Sequence, residues 1–110
     1  MAAKNFHVKL AGKAQLHDPR IELDNMLVNI WSIDGGCTWE NKNTTVEVES
    51  KMDIFMSCKA ISGTEWAFTI TNIDTNRKAY YENGETGEPL ISQGGKRIAN
   101  YSERKETVPI

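Results

Sequence analysis

The sequence predicts an all-β fold: a single antiparallel β-sandwich, or a partly open barrel, of about seven to nine short strands. Three observations carry this expectation. Short runs in which apolar and polar residues alternate recur along the chain, the period-two pattern of half-buried strands. Turn-forming residues punctuate those runs about every 8 to 12 residues. No long stretch repeats at helical spacing.

Taken in order, Phe6, Val8 and Leu10 alternate with Asn5, His7 and Lys9 in a first strand that Gly12 ends. Lys13 to Asp24 reads as a connecting loop around His17-Asp18-Pro19-Arg20, with a short strand near Ile21 to Leu23. Asn25 to Ile33 carries apolar residues on both faces, which predicts a central strand or one covered by a partner subunit. Asp34-Gly35-Gly36 is a turn, because glycine takes positive φ without steric cost. Cys37 to Glu40 reads as a short returning strand, Asn41-Lys42-Asn43 as another turn, and Thr44 to Glu49 as a strand with Val46 and Val48 inward.

Met52 to Asn72 is the most apolar stretch and predicts a β-hairpin about Ser62-Gly63. In its first arm Met52, Ile54, Met56, Cys58 and Ala60 form one apolar face, and Phe55 and Ile61 add apolar surface to the other. In its second arm Trp66, Phe68 and Ile70 face one way. Asp74-Thr75-Asn76 then turns the chain into an edge strand over Arg77 to Glu82, and Asn83-Gly84 has the chemistry of a type I′ turn. Leu90 to Gln93 and Arg97 to Tyr101 are short strands about Gly94-Gly95. Residues 102–110 read as a flexible tail unless Val108 and Ile110 dock on the body.

A chain of 110 residues is one domain, and folding at this size removes roughly 65% of the unfolded chain's surface from water, enough for a core without metal or disulfides. A net charge of −2 lacks the basic excess expected of a nucleic-acid binder. Arg77, Lys78, Tyr80, Tyr81, Lys96, Arg97 and Tyr101 interleave basic and aromatic residues, but Glu82, Glu85, Glu88 and Glu103 oppose them. No apolar run reaches the roughly 20 residues of a membrane span, and the first ten residues lack a signal peptide's apolar segment. The expectation is a cytoplasmic protein, or one exported without a classical leader. Cys58, on an apolar face, is expected to be a buried free thiol, the alternative being a disulfide to Cys37.

Candidate chemistry is sparse. His7, His17, Cys37 and Cys58 show no metal-ligand spacing, so no metal or cofactor is expected. Neither histidine adjoins a glycine-framed nucleophile, and the carboxylate groupings, Glu47 with Glu49 and Glu82 with Glu85 and Glu88, fall where solvated strand faces and loops are expected, so no catalytic residue is assigned. The glycine pairs lack the following helix of a phosphate cradle. What remains is binding. Trp39 with Asp34, Asn41 and Asn43 combines an apolar plate with directional hydrogen-bonding groups, a combination suited to sugars and peptides, unless Trp39 caps the core.

Phe55, Ile61 and Trp31 are surplus apolar residues suited to an interface, including a homo-oligomeric one. The sequence therefore predicts a non-enzymatic binding or assembly module for a carbohydrate or protein partner. The alternatives are a structural subunit of a viral or secretion assembly and a small inhibitor or immunity protein that blocks one protein target.

Overall fold

A computed structural model describes residues 2–110. Its strands, in chain order, are β1 (Ala2–Gly12), β2 (His17–Leu23), β3 (Met26–Leu27), β4 (Trp31–Ser32), β5 (Thr38–Val48), β6 (Lys51–Lys59), β7 (Glu65–Asn72), β8 (Arg77–Glu85), β9 (Pro89–Leu90), β10 (Lys96–Arg97) and β11 (Tyr101–Pro109), with a short 3-10 turn at Ile91–Gln93. Every pairing is antiparallel. Sheet A has the order β4-β5-β1-β7-β8, sheet B the order β11-β6-β2-β3, and β9 and β10 form a separate ribbon. The all-β expectation holds, and no sheet closes on itself.

The two large sheets share one core. Sheet A contributes Phe6, Val8 and Leu10 from β1, Val46 and Val48 from β5, and Trp66, Phe68 and Ile70 from β7. Sheet B contributes Ile21 and Leu23 from β2, Met52, Ile54, Met56 and Cys58 from β6, and Val108 from β11. Alternation thus places the inward residues of β1, β6 and β7 as the sequence predicts. Cys37 and Cys58 are both free thiols, and burial pushes the Cys58 thiol up to about 12.

Several local expectations are corrected. β6 and β7 do not form a hairpin: β6 pairs with β2 and β11, whereas β7 pairs with β1 and β8, so residues 60–64 cross from one sheet to the other. Two amphipathic arms can satisfy the same core from opposite sides, and periodicity does not distinguish that from pairing. Residues 25–33 are not a central strand. They hold only β3 and β4 at sheet edges; Val28 is buried, while Met26, Leu27, Trp31 and Ile33 are more than half exposed. The turn over residues 41–43 is instead a bulge inside β5, where the register against β1 shifts between Phe6 and Val8. Asp24 and Asn25, both at positive φ, make the tight β2–β3 turn, whereas Asn83 and Gly84 lie within β8. Ser102 to Pro109, read from the sequence as a tail, belong to β11, which pairs with β6 along its whole length; Val108 is buried and Ile110 packs on the core.

β8 and β11 are the edge strands of sheets A and B on one side of the sandwich, and Arg104 of β11 ties them together. Its Nη1 and Nη2 donate to Glu88 Oε1 at 2.6 Å and Oε2 at 3.1 Å, and Nη2 also donates to the Asn83 carbonyl at 3.4 Å. The guanidinium lies over the Trp66 ring at 4.9 Å. Glu88 also accepts the Ser102 hydroxyl, and its hydrogen bonds raise the Arg104 pKa further. Gly84 makes this stack possible, since a Cβ there would lie 2.3 Å from Trp66 Cζ2 and 2.9 Å from Arg104 Nη2. Gly84→Ala is therefore expected to lower stability by about 1–3 kcal/mol in urea unfolding, through overpacking. Arg104→Met leaves the Glu88 carboxylate unpaired and is expected to cost about 2–4 kcal/mol in the same measurement.

Candidate functional site

The outer face of sheet A is set by register. Phe6, Val8 and Leu10 point into the core, so His7, Lys9 and Ala11 point away from it. Residues directly opposite across an antiparallel pair share a face. Trp31 lies opposite Glu40, Glu40 opposite Lys9, Lys9 opposite Thr69, and Thr69 opposite Tyr81. One outward row therefore crosses all five strands with an aromatic residue at each end. Trp31 is 55% exposed and Tyr81 51% exposed. Four steps of about 4.8 Å put the two aromatic positions roughly 19 Å apart.

The neighbouring row is Thr38, Ala11, Ala67 and Asn83. Its small side chains leave a concavity of about 440 Å³ next to Tyr81. Asn83 borders it on β8, and the Lys13–Glu65 ion pair, at 3.0 Å, borders it beyond the alanines. Lys78 Nζ lies 4.9 Å from the Tyr81 ring centroid. Between the aromatic ends, His7 Nε2 is 2.8 Å from Glu40 Oε2, and this hydrogen bond holds the Glu40 carboxyl below the usual carboxylate range. The face thus offers two exposed aromatic plates, a shallow depression and a set of amide, carboxylate and ammonium groups. That is the chemistry of a surface that binds a polar, ring-containing ligand.

The loop foreseen from the sequence is built differently. Asp34 Oδ1 accepts from the Thr38 backbone N–H and the Ser32 hydroxyl, both at 2.8 Å, and these bonds, Thr38 first, hold its carboxyl down at about 2. Trp39 stands opposite Leu10 on the inner face and packs against the core, its indole N–H donating to the Gly36 carbonyl at 2.9 Å. Asn41 donates to the Asn29 carbonyl and accepts from the Asn43 backbone N–H, and Asn43 is exposed. Asp34 Oδ1, the Trp39 indole N–H and the Asn41 side-chain amide hold the loop in shape, and Trp39 packs against the core.

The three interface candidates are dispersed. Trp31 is on the outer face of sheet A, Phe55 is half-buried on the outer face of sheet B, and Ile61 is exposed on the crossover. Lys9, Glu40, Thr69, Tyr81 and Asn83 were not foreseen as a group. The available signal was the outward face of β7, where Ala67, Thr69 and Thr71 are all small.

No family model, curated protein or solved structure matches this chain. Among the described residues, no group of three or more His, Cys, Asp or Glu side chains is placed to hold a metal ion, and no helix is long and apolar enough to cross a membrane.

A loop shaped by Asp34 has a defined acid response. Its folded pKa lies below the unfolded value, so its contribution is complete above the ordinary carboxylate range and is lost as pH falls through about 2. Proton-coupled NMR shifts of the Thr38 amide are expected to follow that titration and to vanish in Asp34→Asn.

Proposed function

We propose that this chain is a non-enzymatic carbohydrate-binding module that lays a glycan across the outer face of its five-stranded sheet. One observation carries the reading: the cross-strand row that begins at Trp31 and ends at Tyr81, both half exposed. A sugar ring presents a face of C–H groups to an aromatic plate and a rim of hydroxyls to polar side chains. Trp31 and Tyr81 serve the faces, and Lys9, Glu40, Thr69 and Asn83 serve the rim. The twist and stiffness of the paired strands hold these groups in place before the ligand arrives, which limits the ordering cost of binding.

A second reading rests on a separate observation. Met26, Leu27, Trp31 and Ile33 are 57%, 56%, 55% and 83% exposed, an apolar edge of the kind that protein interfaces cover. On that reading the chain self-associates or docks on a protein, as a structural subunit or an inhibitor does.

Affinity electrophoresis against immobilised polysaccharides separates the two. Tyr81→Ala and Trp31→Ala are each expected to weaken glycan binding about tenfold, the equivalent of ~1.4 kcal/mol, with melting temperature nearly unchanged. Retained glycan binding in both variants, or none in the parent protein, argues against the module. A dimer in light scattering that Leu27→Ser with Ile33→Ser converts to a monomer supports the second reading instead.

A further inference from the structure

A basic row runs beside the aromatic one on the outer face of sheet A. His7 stands opposite Thr71, and Thr71 opposite Lys78, so these three side chains share that face. Along β1 and β7 this row is two residues from the Trp31–Tyr81 row, roughly 7 Å. Lys9 on β1 and Lys78 on β8 therefore flank β7 from its two sides, with the Thr69 and Thr71 side chains between them. The contact of Lys78 Nζ with the Tyr81 ring places its ammonium group against that plate. Both lysines are exposed, and neither makes a salt bridge among the described residues.

The carboxylates of this face are engaged or distant. Glu40 is hydrogen-bonded to His7, Asp74 accepts from the backbone N–H and the amide of Asn5, and Asp34 is bound into its loop by Ser32 and Thr38. Glu65 and Glu85 stand opposite each other, and Lys13 pairs with Glu65. Glu65 is four residues from Thr69 along β7, roughly 13 Å. Glu47 lies opposite Ala3, near the start of β1. At physiological ionic strength charges are screened over about 8 Å. The potential about Thr69 and Thr71 is therefore governed by Lys9 and Lys78, opposed chiefly by Glu40, although the whole chain carries a net charge of −2.

We propose that the glycan laid across this face is acidic, with an anionic group, a uronate carboxylate or a sulfate, seated between Lys9 and Lys78 and its ring on Tyr81. This rests on the glycan reading of sheet A and names the class of sugar. The Thr69 and Thr71 hydroxyls lie beneath the anion as further donors. Lysine ammonium groups act as point charges, so they accept carboxylate and sulfate alike. A neutral sugar gains nothing from them, and a polyanion without rings gains nothing from Tyr81.

The test is affinity electrophoresis of the intact chain at physiological salt against polygalacturonate, its carboxyl-reduced form, a sulfated galactan, its desulfated form, and polyglutamate. At least one acidic polysaccharide is expected to bind about tenfold more tightly than its neutral form, and Lys9→Gln and Lys78→Gln are each expected to weaken it about threefold. Lys51→Gln, on sheet B, makes the same change in net charge and is expected to leave binding unchanged. Thermal melts establish that the variants fold. Which acidic polymer responds separates carboxylate from sulfate. Equal binding of acidic and neutral forms overturns this inference and leaves the glycan module standing. Equally tight binding of polyglutamate, or equal losses in Lys51→Gln and the two face variants, shows attraction by charge alone and overturns it as well. Absence of binding to every polysaccharide removes the glycan reading and this inference with it.

Discussion

The contact between Arg104 and Glu88 is the interaction on which the rest of the architecture leans. Two sheets packed face to face leave their edge strands open, and at β8 and β11 those edges come side by side. A hydrophobic contact would cover that side without fixing its geometry. The guanidinium fork does fix it: two nitrogens on Glu88, one reaching the Asn83 carbonyl, and the flat face over Trp66. Trp66 in turn lies against Gly84, which adjoins the concavity on the outer face of sheet A. Arg104 also lines a second concavity, beside Phe55. The Arg104–Glu88 pair thus adjoins residues that line both concavities.

The crossover from β6 to β7 is the second constraint. Carrying the chain between sheets buries backbone groups that no ladder serves, and two threonines satisfy them. The Thr86 hydroxyl donates to the Ile61 carbonyl at 2.7 Å and accepts from the Thr64 backbone N–H at 3.0 Å, while the Thr64 hydroxyl reaches the same carbonyl at 2.6 Å. Thr64 and Thr86 are both buried. The crossover is thereby bound to the chain that leaves β8, on the side of the sandwich where Arg104 and Glu88 meet.

How far the sequence discloses this structure depends on the range of each interaction. Alternation within a strand is local, so the inward faces of β1, β6 and β7 are legible from Phe6 to Leu10, Met52 to Cys58 and Trp66 to Ile70. Pairing is not local. The β6 and β7 arms look like hairpin partners because both are amphipathic and a glycine lies between them, yet their partners are β11 and β2 on one side and β1 and β8 on the other. The charged stretch from Ser102 resembles a tail, but its alternation continues weakly through Ser102 and Val108, the two positions it buries. The site follows the same rule. Trp39 stands out in the sequence as an aromatic among turn residues, and the core claims it. The row from Trp31 to Tyr81 draws one residue from each of five strands, so it exists only once register is known.

The proposed ligand surface is the outer face of sheet A, assembled by register, and the loop around Trp39 is structural. The most direct measurement is a residue-resolved NMR titration with soluble oligosaccharides of several linkages. Binding on the outer face of sheet A predicts saturable shifts at the Trp31 indole N–H and at the amides of Lys9, Thr69, Tyr81 and Asn83. Shifts centred on Asp34, Asn41 and Asn43, or no shifts with any oligosaccharide, would contradict it.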